Sequence, residues 1–73
     1  MSPNELGRRV WELRGPLMRL ACTIVRRQQD AEDAVQETIC KAFYKLSDLR
    51  QPKYFKTWLT RILINCCYDL IRQ

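Results

Sequence analysis

The feature that most constrains this chain is a near-absence of backbone breakers across three stretches whose apolar residues recur every three or four positions. Of 73 residues only two are Gly and three are Pro. Leu6, Val10, Leu13, Leu17, Ala21 and Ile24 form one series. Ala31, Val35, Thr38, Ile39, Ala42 and Leu46 form a second, and Phe55, Leu59, Ile62, Cys66 and Leu70 a third. Such spacing lays one apolar stripe along each of three helices, and no segment alternates as a half-buried strand would. Amphipathic helices must cover their stripes on one another, so the expected fold is all-α, a small three-helix bundle forming one domain over residues 1–73. A domain this short buries a modest core and is marginally stable.

Local signals set the expected boundaries. The first helix is expected from about Pro3 to Arg27. Ser2 with Glu5 makes a capping box, and Pro3 suits the first helical position. Gly15-Pro16 interrupts the stripe, and Pro16 cannot donate to residue 12, so a kink or break is expected there. The second helix is expected from about Asp30 to Leu46, with Asp30 as N-cap and Glu32 and Asp33 in the first turn, where the helix dipole favours anions. Lys41 lies four residues after Glu37, the favourable order for an ion pair. Residues 47–53 form a connecting loop, because Pro52 disfavours helical geometry at Gln51. The third helix then runs from about Tyr54 to Arg72.

Charge divides along the chain. The formal net charge is +5, which suggests a polyanionic partner. Residues 1–27 carry six basic and two acidic groups, residues 28–46 two and four, and residues 47–73 five and two. An acidic centre between basic ends fits two faces for two partners better than a uniform nucleic-acid coat. There is no His, and Cys22, Cys40, Cys66 and Cys67 show no C-x-x-C spacing, which argues against zinc. Cys22, Cys66 and Cys67 read as small core side chains in a reducing compartment. Mean hydropathy is −0.39 and no apolar run is long enough to span a bilayer. The charged first twenty residues do not resemble a signal peptide, so a cytoplasmic protein without membrane insertion is expected. No nucleophile–base pair, phosphate loop or metal set is present, so neither an enzyme nor a cofactor is expected.

Two stripes carry recognition chemistry. Between Leu49 and Asn65, the cations Arg50, Lys53, Lys56 and Arg61 interleave with Tyr54, Phe55 and Trp58. Cations that track a phosphate backbone, beside rings that hold unstacked bases, are what a single strand requires. The plainer reading makes Phe55 a core residue and the cations a solvated surface; Trp58 stands between the two. On the second helix Asp33, Gln36, Glu37, Cys40 and Tyr44 form a stripe apart from the apolar one, which by itself reads as a solvated face.

The segment D-A-E-D-A-V-Q-E-T (Asp30 to Thr38) and the segment F-K-T-W-L-T-R-I (Phe55 to Ile62), followed by Asn65, Asp69 and Arg72, stand in the order and at the distance found in region 2 of extracytoplasmic-function sigma factors, of the sigma-70 family. The chain resembles that region over about residues 10–73. The resemblance implies that the second helix docks on the β′ clamp helices of core RNA polymerase through Asp33, Gln36, Glu37 and Cys40. It implies that the following loop and helix bind the non-template strand of the promoter −10 element and hold a flipped-out base. Arg50, Gln51, Lys53 and Tyr54 would build the base pocket, and Lys56, Trp58, Arg61 and Asn65 would follow the strand. An anti-sigma factor is a further expected partner. Ile39 stands where the family often has Phe, and Leu63 where it often has Ala.

A complete member of that family continues into a helix-turn-helix domain that reads the −35 element. That domain is absent here, so the chain is expected to be a fragment or an isolated domain. The alternatives are a duplex-binding helix-turn-helix regulator and a protein-interaction bundle without DNA affinity. A helix-turn-helix needs a turn of about three to four residues, shorter than the loop expected here.

Overall fold

The structure is a computed structural model and describes residues 1–73 throughout. Three helices follow one another: α1 over Pro3–Ile24, α2 over Gln28–Tyr44 and α3 over Phe55–Arg72. Two single turns of 3-10 helix, Leu46–Asp48 and Pro52–Tyr54, occupy the connection between α2 and α3. The architecture is the expected all-α bundle, without strands. Ser2 caps α1 as its sequence predicts: its Oγ accepts from the Glu5 N–H at 3.2 Å, and Pro3 occupies the first turn.

Four boundary expectations are corrected. The helix α1 is neither broken nor divided at Gly15-Pro16 but runs through Pro16 as one element. An interior Pro costs about 3 kcal/mol; here Leu6 and Val10 before it and Leu17 and Ala21 after it are all buried in the same core. The apolar stripe stays in phase across the Pro, and a break would pull one half off the bundle. The same helix ends at Ile24 rather than Arg27, because Val25 is extended and buried, 5% exposed, and turns the chain toward α2. That helix in turn begins at Gln28, with Arg27 at the N-cap position and no side-chain cap. Asp30 therefore lies inside the first turn, where its charge still suits the dipole. At the other end α2 stops at Tyr44, and Leu46 belongs to the first 3-10 turn.

The three stripes meet in one core of fifteen buried apolar residues. Helix α3 supplies the largest share: Phe55, Leu59, Ile62, Leu63, Cys66 and Cys67. It lies alongside α1 in the same direction, since Arg9 sits over Phe55 near their starts and Ile24 and Leu70 share a cleft near their ends. Helix α2 presents Ala31, Ala34, Val35, Thr38 and Ala42; these small residues let the other helices approach closely. Thr38 is the one buried polar residue, and its hydroxyl donates to the Ala34 carbonyl at 2.7 Å, so no buried side-chain group is left without a partner. Ile39 and Leu70 are only half-buried, and Cys22, expected in the core, is exposed. It follows Ala21, which is fully buried, and a one-residue step turns the side chain about 100° around a helix of 3.6 residues per turn.

Truncation should discriminate among these positions. Leu59→Ala and Leu63→Ala are each expected to cost roughly 2–5 kcal/mol, while Ile71→Ala, at an exposed position, should stay within about 0.5 kcal/mol. Urea unfolding followed by circular dichroism checks all three.

Burial pushes the Cys67 thiol above its usual value of 9.0, with the neighbouring Cys66 and Cys22 thiols adding to the effect. A folded-state value above the unfolded one means that the folded chain holds this proton more tightly. The contribution is complete below about the unfolded value and is lost as the pH rises from there through the raised folded value. Comparison of wild type with Cys67→Ala is expected to give a constant stability difference at neutral pH. That difference should shift steadily against the wild type under alkaline conditions, which a series of urea melts across this range would measure.

Candidate nucleic-acid interface

The hydrogen bonds that hold the connection between α2 and α3 are backbone to backbone. The Asp48 N–H donates to the Lys45 carbonyl at 2.8 Å, Leu49 to Leu46 at 3.1 Å and Tyr54 to Gln51 at 3.0 Å. Leu46 and Leu49 pack against the core and pin the first turn; Pro52 opens the second. Between the turns, Arg50 and Gln51 are exposed, and Gln51 is extended. Phe55 then plunges into the core, fully buried, and starts α3.

This arrangement creates a groove of about 600 Å³ along one face of α3. Its floor is Trp58 and Ile62. Arg50, Gln51 and Tyr54 line it from the connection, and Arg61 and Asn65 from the helix. The structure therefore brings together six of the eight residues expected to bind DNA. Trp58 is half-buried, its ring tilted 43° to that of Phe55 at 6.0 Å between centroids. One edge thus packs into the core and the rest lines the groove. Tyr54 is 54% exposed and has the Lys53 ammonium over its ring at 5.2 Å.

The remaining two residues lie elsewhere. Lys53 is exposed beside Tyr54 but does not line the groove. Lys56 faces the seam between α1 and α3, with Leu13, Pro16 and Leu20; Arg61, five residues on, lies about 140° further round the helix and faces the groove. Lys45, Asp48 and Thr57, which are not among the eight expected residues, also line the groove. Lys45 and Thr57 carried a usable signal: each is polar and adjacent to a residue already singled out.

On α2, the residues Asp33, Gln36, Glu37 and Cys40 are all exposed and stand on one ridge, on a different face from the groove along α3. Asp33 and Glu37 edge a shallow cleft toward α3, beside Lys41 and Asp69. The Lys41 ammonium lies 3.9 Å from Glu37 and 4.0 Å from Asp69, so it spans the two helices. Pairs this exposed contribute at most about 1 kcal/mol, and their main effect is on where the carboxylates sit. Gln36 borders the opposite side, an apolar groove lined by Trp11, Ile39 and Phe43. No cluster of side chains suited to a metal is present, and no helix is long and apolar enough to cross a membrane.

The family model of sigma-70 region 2 matches residues 10–73. The chain belongs to the sigma-70 region 2 family. Among curated relatives it is 40% identical to RNA polymerase sigma factor SigV of Bacillus subtilis over 55 residues, 75% of this chain and 33% of that protein. It is 35% identical to the ECF RNA polymerase sigma factor SigM of Mycobacterium tuberculosis over 57 residues, 78% of this chain and 29% of that protein. With the probable RNA polymerase sigma factor RfaY of Xanthomonas campestris it shares 33% identity over 67 residues, 92% of this chain and 17% of that protein. The region 2 chain thus spans about a third or less of the length of these relatives. No solved structure matches it significantly.

Proposed function

We propose that this chain is the part of a transcription initiation factor that binds core RNA polymerase and captures the non-template strand of the promoter −10 element. The observation that carries the reading is the groove after the double turn, where Arg50, Arg61, Tyr54, Trp58, Gln51 and Asn65 converge. Opening a promoter requires bases to be unpaired and unstacked, which costs a few kcal/mol for each extruded base. A site that binds the open strand alone offsets that cost without any chemical step. Cations supply the sequence-independent attraction to phosphate, and the connection supplies base choice. Tyr54 and the exposed part of Trp58 offer faces on which a flipped base stacks.

The ridge of Asp33, Gln36, Glu37 and Cys40 is the proposed docking face for the β′ clamp helices. Its support is that these residues share no side-chain role in the core while the same helix buries Ala31, Ala34, Val35 and Ala42. The double-turn connection supports this reading over a duplex reader, in which a tight turn would set a recognition helix into the major groove.

The two faces are expected to respond independently. Gln36→Ala with Glu37→Lys should weaken capture by core polymerase and leave oligonucleotide affinity unchanged. Arg61→Ala should lower affinity for all single strands alike and reduce the log–log salt slope by about 0.7. Tyr54→Ala should cost roughly 1–3 kcal/mol of binding for a stacked base. Pull-downs with core polymerase and fluorescence anisotropy with −10 oligonucleotides test both. A strand affinity equal to that for duplex, or polymerase capture indifferent to the α2 changes, would contradict the assignment.

A further inference from the structure

The strand groove is lined by three cations, Lys45, Arg50 and Arg61, and by a single carboxylate, Asp48. The ordinary reason for a lone carboxylate among cations is an ion pair, and that reason fails here. All four ion pairs of the chain lie elsewhere: Arg8 with Glu12, Lys41 with Glu37, Lys41 with Asp69 and Arg72 with Asp69. Nor is Asp48 a capping side chain, since the turn it closes is held by its backbone N–H on the Lys45 carbonyl at 2.8 Å, with no side-chain cap. The backbone thus fixes its place while the exposed carboxylate is left free.

A free carboxylate is a liability in a phosphate-binding groove, because like charges repel. It suits only the part of a nucleotide that carries hydrogen-bond donors, which is the edge of the base. We propose that Asp48 is the base-selecting residue of this groove and favours guanine over thymine. The proposal rests on the reading of the groove as a single-strand site and names the specificity of that site.

A carboxylate accepts hydrogen bonds and donates none. The Watson–Crick edge of guanine presents N1–H and N2–H side by side, so both oxygens of one carboxylate are engaged together. Cytosine and adenine each offer one amine beside an acceptor nitrogen. Thymine offers one N–H flanked by two carbonyls, whose lone pairs face the carboxylate. The expected order is guanine, then cytosine and adenine, then thymine. The phosphates would then lie toward Arg50 and Arg61, away from Asp48, with Tyr54 beneath the base.

The test uses this 73-residue chain and short single strands carrying one base, guanine, inosine, cytosine, adenine or thymine, between abasic nucleotides, with affinity read by fluorescence anisotropy. A bidentate contact predicts roughly ten-fold tighter binding of guanine than of thymine, with inosine between them because it lacks the N2 amine. Asp48→Ala is expected to bring all five strands within about two-fold of one another, and to bind the thymine strand somewhat more tightly because a repelling charge is gone. A merely structural role would instead weaken every strand equally. An unchanged guanine preference in Asp48→Ala, or a uniform loss, overturns the assignment of Asp48 while leaving strand binding intact. Failure of the wild type to bind any of the strands overturns both the groove reading and this one.

Discussion

The burial of Phe55 is the contact on which the rest of the arrangement depends. It is the first residue of α3 and is completely enclosed, so the point where the connection ends is also the point where the core begins. The Arg9 guanidinium lies over its ring at 4.5 Å, a contact that ties the start of α3 to the first half of α1 and contributes roughly 0.5–2 kcal/mol. With Phe55 anchored, helical periodicity sets the other positions. Leu59, Ile62, Leu63 and Cys66 turn inward, while Thr57, Arg61 and Asn65 turn toward the groove. Trp58 sits between the two sets, and its tilted contact with Phe55 joins the floor of the groove to the core. A movement of Phe55 would shift the connection and the groove together.

The same bundle separates two polar surfaces. Small residues on α2 bury one side of that helix tightly and leave the opposite side to Asp33, Gln36, Glu37 and Cys40. The basic residues of the groove come from the connection and from α3. Net charge describes neither surface: +5 overall conceals an acidic second helix. Opposite charge on separate faces means that the two proposed partners would not compete for the same side chains.

Much of this was legible in the sequence because it follows from periodicity. The three stripes, the Ser2 cap, the burial of Phe55, Leu59 and Ile62 and the exposure of the Asp33–Cys40 ridge all derive from spacing and residue type. What was not legible depended on competition between local and tertiary terms. Gly15-Pro16 is a sound local signal for a kink or a break, yet with Leu17 and Ala21 buried in phase with Leu6 and Val10 the helix is not broken. Asp30 is a sound N-cap, yet the chain enters α2 earlier because buried Val25 has already turned it. Cys22 reads as core by composition and is exposed by its angle on the helix. Lys56 and Arg61 look equivalent in a list of cations, but α3 sends one to the α1 seam and the other to the groove. Asp48 was passed over because a single acidic residue in a polar loop has no periodicity to mark it.

The proposed strand site and the proposed polymerase ridge are physically distinct faces of one bundle. The most direct measurement is a titration of isotopically labelled chain with a single-stranded −10 oligonucleotide, followed by amide chemical shifts residue by residue. The account predicts that changes concentrate between Lys45 and Asn65, at Asp48, Arg50, Gln51, Tyr54, Arg61 and their neighbours, while Asp33, Gln36, Glu37 and Cys40 stay unperturbed. Shifts centred on the α2 ridge, or spread evenly over every basic residue including Arg8, Arg19 and Arg26, would contradict it.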